Sequence, residues 1–206
     1  MIDLVFFNER IFDLKAIAET ESMLGNSAVI LAKNFSSEKE LKELKEKIER
    51  EKFDFRPCHL ITALEPKELN KFKGKALVAV LGGNVTLNKF AVSTKGIDFL
   101  LQPCTEGPLS FDTAIAQTAE DNGIPIAFTF RQFLEMEGMK RSFLFRNYSF
   151  TVRLIKKFKL DCLIFSGAKF YDQMRSIKDS TSLLVLLGFT REQAERLAEK
   201  EFGENK

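Results

Sequence analysis

Short β-branched or apolar runs alternate with helical patterns along the whole chain, about 20–37 residues apart, and this alternation narrows the fold more than any other feature. Residues 2–7, 27–33, 58–64, 75–81, 97–101, 124–130 and 162–165 read as seven strands. Between them, 12–24 has apolar residues at near-helical spacing. Ser37 and Glu40 form a capping-box pattern ahead of a helix whose apolar side is Leu41, Leu44 and Ile48. On its wet side Glu38/Lys42 and Glu43/Lys47 are spaced to pair. Further helices are expected over 85–93, from a Ser110 cap to Gly123, over 140–159, before Gly188 and after a Thr190 cap, whereas 65–72 reads as a polar connection. Repeated strand-then-helix order with no second composition type implies a parallel sheet covered by helices. No Gly-, Pro- or Ser-rich linker divides the chain, so residues 1–206 read as a single α/β domain. A doubly wound open sheet and a closed barrel both fit the alternation. Seven strands, short loops and no G-x-G-x-x-G after the first strand favour a TIM-like barrel of parallel strands with outer helices, an eighth strand being left open.

A chain of 206 residues, 45% hydrophobic and 29% charged, buries enough surface to fold without a disulfide or a metal. Its apolar runs fall well short of the roughly 18 residues a membrane span needs. Met1-Ile2-Asp3-Leu4 places no basic stretch ahead of an apolar one, as a secretory signal would. Cys58, Cys104 and Cys162 are odd in number and far apart, which reads as reduced thiols in a cytoplasmic protein.

The net charge of +2 implies no polyanion partner until it is partitioned. Residues 1–128 carry 16 basic and 19 acidic side chains, residues 129–178 carry 11 and 4, and residues 179–206 carry 4 and 6. The middle block is therefore +7, the asymmetry expected of a face that meets a polyanion. Within it, Arg146, Arg153 and Lys157 recur at intervals of seven and four beside Ser142 and Ser149, a basic stripe. Phe143, Phe150, Leu154 and Phe158 form a second stripe, read as the buried face, and the 21 phenylalanines as core.

In a TIM-like barrel, function sits where strands end. Those positions here are Asn8, Asn34, Glu65, Gly82-Gly83-Asn84, Gln102, Thr129, Arg131, Gln132 and Ser166-Gly167-Ala168-Lys169. A metal-dependent hydrolase needs converging His, Asp or Glu, but the single histidine, His59, lies early in a strand, where a buried or hydrogen-bonded role is expected. Paired carboxylates are missing, and no G-x-S-x-G elbow is present. The chain is thus expected to hold neither catalytic residues nor a metal. One route to catalysis stays open, a Schiff-base lysine at Lys169 in a stand-alone barrel lyase or phosphate-ester enzyme. Gly82-Gly83 before a helix and Ser166-Gly167-Ala168-Lys169 after the seventh strand are candidate anion-binding turns. A third possibility is a protein scaffold docking through 65–75.

Between Ala76 and Thr190 a series of motifs occurs in order: Val78-Ala79-Val80-Leu81-Gly82-Gly83-Asn84 running on to Asn88-Lys89; Gly96-Ile97-Asp98-Phe99-Leu100-Leu101-Gln102-Pro103; Ala127-Phe128-Thr129-Phe130-Arg131-Gln132-Phe133-Leu134; Ser166-Gly167-Ala168; Tyr171-Asp172-Gln173-Met174-Arg175-Ser176-Ile177-Lys178-Asp179; and Leu186-Leu187-Gly188. In these motifs the sequence resembles the archaeal ribonuclease P protein component 3 family, a TIM-barrel subunit family. The family often has His or Ser at Gln102, Pro at Gln132, and arginine at Lys89 and Lys178. A lysine keeps the charge there but loses the bidentate fork. The resemblance implies that an RNA subunit, using magnesium, removes the 5′ leader of precursor tRNA. The chain would bind that ribonuclease P RNA, component 2 and other protein subunits, meet precursor tRNA only indirectly, and touch no membrane. It further implies RNA contacts at Arg131, Arg175, Lys178 and Lys89. Arg146 and Lys169 join them on charge and placement.

Overall fold

In the computed structural model, which describes residues 1–64 and 66–199, the apolar runs become seven strands: β1 (Ile2–Phe6), β2 (Ala28–Lys33), β3 (Asp54–Ile61), β4 (Leu77–Leu81), β5 (Phe99–Leu101), β6 (Ile126–Thr129) and β7 (Cys162–Phe165). Every neighbouring pair is parallel, in the order β1 to β7. The crossovers carry α1 (Leu14–Leu24), α2 (Glu38–Ile48), α3 (Pro66–Phe72), α4 (Val85–Ser93), α5 (Thr113–Asn122), and the pair α6 (Arg131–Glu135) and α7 (Gly138–Phe158). After β7 a single 3-10 turn, Tyr171–Gln173, leads into α8 (Ile177–Leu186) and α9 (Arg191–Glu199). This is a TIM-like barrel, and among the described residues it has no eighth strand.

The backbone just beyond β7 closes the barrel against β1. The Gly167 N–H donates to the Leu4 carbonyl (2.9 Å) and the Phe6 N–H to the Ala168 carbonyl (2.8 Å), with Val5 and Ala168 bridged in parallel. Gly167 adopts φ 62°, and a Cβ there would stand 2.7 Å from Thr129, so this close approach needs glycine. Side chains reinforce the seam. The Ser166 N–H donates to Asp3 Oδ1 (2.5 Å), and the Ser166 hydroxyl donates to the Leu4 carbonyl (3.3 Å).

Strand alternation separates two apolar layers. Ile2, Leu4, Ile30, Leu60, Phe99, Leu101, Leu163 and Phe165 point inward, with Ala28, Ala32, Ala79 and Ala127 making room for the Phe99 and Phe165 rings, 5.8 Å apart. Outward residues such as Val29, Leu31, Val78, Val80, Ile126, Phe128 and Ile164 pack on the helices. Phe35, Phe72, Phe99, Phe111, Phe128 and Phe165 are fully buried, so this part of the phenylalanine content is core as expected.

Several local expectations change. β3 begins at Asp54 and ends at Ile61, because pairing with Ala28–Lys33 extends its start. The stretch expected as a polar connection is helix α3 from Pro66, while Glu65 lies outside the described residues. Ser110 does not cap α5. Its hydroxyl donates to the Pro103 carbonyl (2.7 Å), and Asp112 caps the helix instead. Only half of the Ser37 capping box forms, since Glu40 turns to Ser36 and Lys33. On α2 the cations pair in a different register, Lys39 with Glu43 and Lys42 with Glu46, while Lys47 reaches Glu9.

A buried acid pair sits behind the seam. Asp3 and Glu21 are both fully buried, and the Asn26 amide donates to Glu21 Oε2 and to the Arg175 carbonyl (3.3 Å). Asp3 Oδ2 and Glu21 Oε1 have no hydrogen-bond donor. Burial, followed by the Asp3 charge, pushes Glu21 from its ordinary 4.5 up to about 9, and burial raises Asp3 as well. A folded value above the unfolded one means that this contribution to stability is complete below about pH 4.5 and is lost as pH rises toward about 9. Glu21→Gln keeps the neutral hydrogen bonding, so its stability should fall less than the wild type's between about pH 5 and 9. The difference in slope should reach at most about 1.4 kcal/mol per pH unit. Parallel profiles of thermal unfolding midpoint against pH would exclude a neutral Glu21.

Candidate nucleic-acid interface

Most polar groups at the mouth are bonded to one another. Gln102, held at φ 53° ahead of Pro103, donates its amide to Thr129 Oγ1 (2.6 Å). Gln132 Nε2 donates to the Cys104 carbonyl (3.1 Å) and Gln132 Oε1 accepts from the buried Tyr148 hydroxyl of α7. Burial raises Cys104 to about 11, Cys58 further still, and Tyr148 well above its ordinary 10, so none is a ready nucleophile near neutral pH. All three cysteines are free and buried.

His59 is fully buried, stacked 3.9 Å from the Phe72 ring, and its Nδ1 accepts from the Phe35 N–H (3.3 Å). Burial lowers it to about 4, which keeps it neutral and makes it a core histidine, as expected. Among the described residues no three His, Cys, Asp or Glu side chains come together as a metal site would require. Lys169 is exposed, without the apolar enclosure that activates a Schiff-base lysine. The Gly82-Gly83 turn also has a packing reason: a Cβ on Gly82 would collide with Asn88, and Asn84 caps α4 by accepting from Leu87 (2.9 Å).

The expected cations divide into two groups. Arg131, at the start of α6, is 8% exposed. Its guanidinium is ion-paired with Glu135 and lies 4.9 Å from the Phe6 ring centroid. Arg175 stands over the next ring, Phe130 (5.3 Å), and donates to the Asp172 (2.8 Å) and Met174 (2.7 Å) carbonyls. Lys169 and Lys178, exposed in the segment beyond β7, complete this group. Lys89 on α4 and Arg146 on α7 lie on the outer helices instead, both exposed. Each follows or precedes a buried asparagine that holds the loop after β5. Asn88 donates to the Pro103 (2.7 Å) and Ser110 (2.8 Å) carbonyls, and Asn147 to the Thr105 (2.8 Å) and Gly107 (2.9 Å) carbonyls.

The expected buried face of the long helix holds at Leu154 and, half-buried, at Phe158, and is corrected at Phe143 and Phe150. The core side of α7 is Leu144, Asn147, Tyr148, Thr151, Val152, Leu154 and Ile155. Phe143 and Phe150 are 39% and 37% exposed and border the basic stripe. A better apolar stripe, Leu144-Tyr148-Val152-Ile155, was available in the sequence and leaves these two rings outside.

A family model described as RNase P subunit p30 matches residues 2–204. The chain belongs to the RNase P subunit p30 family. Ribonuclease P protein component 3 of Methanococcoides burtonii is 27% identical over 150 residues, covering 70% of this chain and 62% of that one. The protein of the same name from Thermococcus kodakarensis is 27% identical over 188 residues, covering 89% and 77%. Among solved structures, a chain in a cryo-EM structure of archaeal ribonuclease P with mature tRNA superposes with TM-score 0.77. It is 20% identical and the match covers 97% of this chain and 87% of that one. A crystal structure of an uncharacterized protein shares the fold at TM-score 0.58 and 8% identity, covering 89% and 64%. No helix among the described residues is long and apolar enough to cross a membrane.

The two groups of cations differ in their expected behaviour. Arg131→Gln should lower folding stability by about 1–2 kcal/mol, because its partner Glu135 is partly solvated and Phe6 loses its cation. Arg146→Gln should cost about 0.5 kcal/mol or less, because its contacts with the Phe143 ring and with Asn147 Oδ1 (3.3 Å) are long and partly solvent-exposed. Equal thermal shifts in the two variants would contradict this division.

Proposed function

We propose that this p30-family chain is a noncatalytic subunit of ribonuclease P that binds the catalytic RNA and supports removal of the 5′ leader from precursor tRNA. The observation that carries this reading is the +7 block at 129–178, which in this family member covers the mouth segments after β6 and β7 and the whole of α7. Fixed positive charge concentrated on one part of a barrel suits a polyanion scaffold better than a small substrate. The chemistry then resides in the RNA, assisted by magnesium, and the chain supplies binding and orientation. Lys89, Arg146, Lys169 and Lys178 meet phosphates, while Arg175 holds the backbone at Asp172 and Met174, between Lys169 and Lys178, and Arg131 packs on Phe6 beside it. Partner protein subunits, component 2 among them, dock elsewhere on the chain.

The stand-alone enzyme reading receives little support from an exposed Lys169 and from thiols driven up in pKa. Reconstitution tests the choice. Omitting the chain from a mixture of ribonuclease P RNA and the other subunits should slow cleavage of precursor tRNA or raise the magnesium it requires. The chain alone should cleave nothing. Neutralising roughly four to six phosphates would give a slope of log affinity against log salt of about −4 to −5 on structured RNA. A flat salt dependence, or cleavage by the chain without RNA, would end this proposal.

A further inference from the structure

Along α7, Met139, Phe143, Arg146, Phe150, Arg153 and Lys157 follow spacings of four, three, four, three and four. At about 100° per residue these six positions fall within an arc of roughly 80°, a single face running about 27 Å along the helix. All six are exposed, with Met139 at 73%. The opposite side is pinned to the barrel by Leu144, Tyr148, Val152 and Ile155, so the orientation of this face is fixed.

Two further features set the face apart. Gly138–Phe158 contains no Asp or Glu, and among the described residues none of its cations belongs to an ion pair. The contrast with α2 is direct, because there most cations have a carboxylate within 4 Å. In addition, the Arg146 guanidinium lies 5.0 Å from the Phe143 ring centroid, joining a cation to an aromatic plane.

We infer that this outer face of α7 binds unpaired RNA, with bases stacking on Phe143 and Phe150 while Arg146, Arg153 and Lys157 neutralise the adjoining phosphates. The inference rests on the ribonuclease P reading and names the form of RNA that one surface takes. Charge complementarity selects a polyanion, since a protein partner would have to bring acids to every turn of the helix. The aromatic rings then select among polyanions. A duplex keeps its bases stacked inside and offers the rings only backbone, whereas unpaired bases expose their planes. Phe143 and Phe150 lie about 10.5 Å apart along the axis, with Arg146 between them, so rings and charge alternate as a single strand requires.

The test uses the full chain, a fluorescently labelled oligouridylate and a labelled RNA duplex of equal length. The double variant Phe143→Ala/Phe150→Ala should bind oligouridylate at least about tenfold more weakly and the duplex almost unchanged. Phe143→Tyr/Phe150→Tyr should retain the single-strand affinity, and Phe143→Leu/Phe150→Leu should not, because leucine keeps the apolar area but has no plane to stack. Arg146→Gln/Arg153→Gln should flatten the salt slope by about 1.4, at about 0.7 per phosphate on single strands. Unchanged thermal melts would separate these effects from unfolding. If the alanine or leucine pair binds oligouridylate like the wild type, this face is not the site, even though the wild type's salt-dependent RNA binding would leave the ribonuclease P reading standing. If the wild type binds neither RNA, both fail. Loss of binding to another protein subunit, with RNA affinity intact, would also overturn the assignment in favour of a protein occupant.

Discussion

Seven strands close here because the backbone just beyond β7 hydrogen-bonds to β1, with no eighth strand among the described residues. Gly167 and Ala168 supply the backbone groups for Leu4 and Phe6, and Ser166 binds both the Asp3 carboxyl and the Leu4 carbonyl. An open edge would leave a row of unpaired N–H and C=O groups on β1 and β7. The seam removes that edge, but it brings Asp3 out of water. Glu21 and Asn26 lie buried in the same cluster, the Asn26 amide donating to Glu21. The same cluster reaches Arg175 through the Asn26 amide, so the barrel closure and the basic segment beyond β7 are one connected structure.

This closure also shapes the mouth. With seven strands the interior is narrow, and four alanines are needed to admit two phenylalanine rings. Gln102, Thr129, Gln132 and Tyr148 spend their hydrogen bonds on one another and on the loop after β5. Such a mouth has its polar groups largely satisfied from within. The groups left free to act are those on its rim and on the outer helices, which are the exposed lysines and the face of α7.

The strand–helix alternation and the parallel barrel were legible because burial on both faces writes β-branched runs into the sequence. β7 and α4 were legible to the residue, since flanking polar and glycine positions mark their ends. The short helices were harder to see. In α3 and α6 too few turns exist for a period to emerge, and Arg131 and Gln132 look like exposed polar residues until the fold buries them. Ser110 and Asp112 are both good caps, and the Pro103 carbonyl, seven residues back in the same loop, takes the Ser110 hydroxyl. The cations proposed for the site were singled out by family motif, charge and placement. Whether a cation faces solvent or stacks on Phe6 or Phe130 depends on which rings the topology brings beside it.

The small net charge illustrates the same point at larger scale. On α2 acids and bases share a surface and cancel within a few ångströms, so that helix projects almost no field. On α7 the compensating acids lie in other parts of the chain, and no carboxylate of its own screens Arg146, Arg153 or Lys157. Two chains with identical totals would therefore present different potentials to an approaching polyanion, depending on whether opposite charges share a helix. Here they do not, and the exposed phenylalanines stand on the uncompensated helix. Phe143 and Phe150 each leave more than a third of their surface in water although the barrel offers apolar layers on either side of the sheet, a cost that the fold alone does not require.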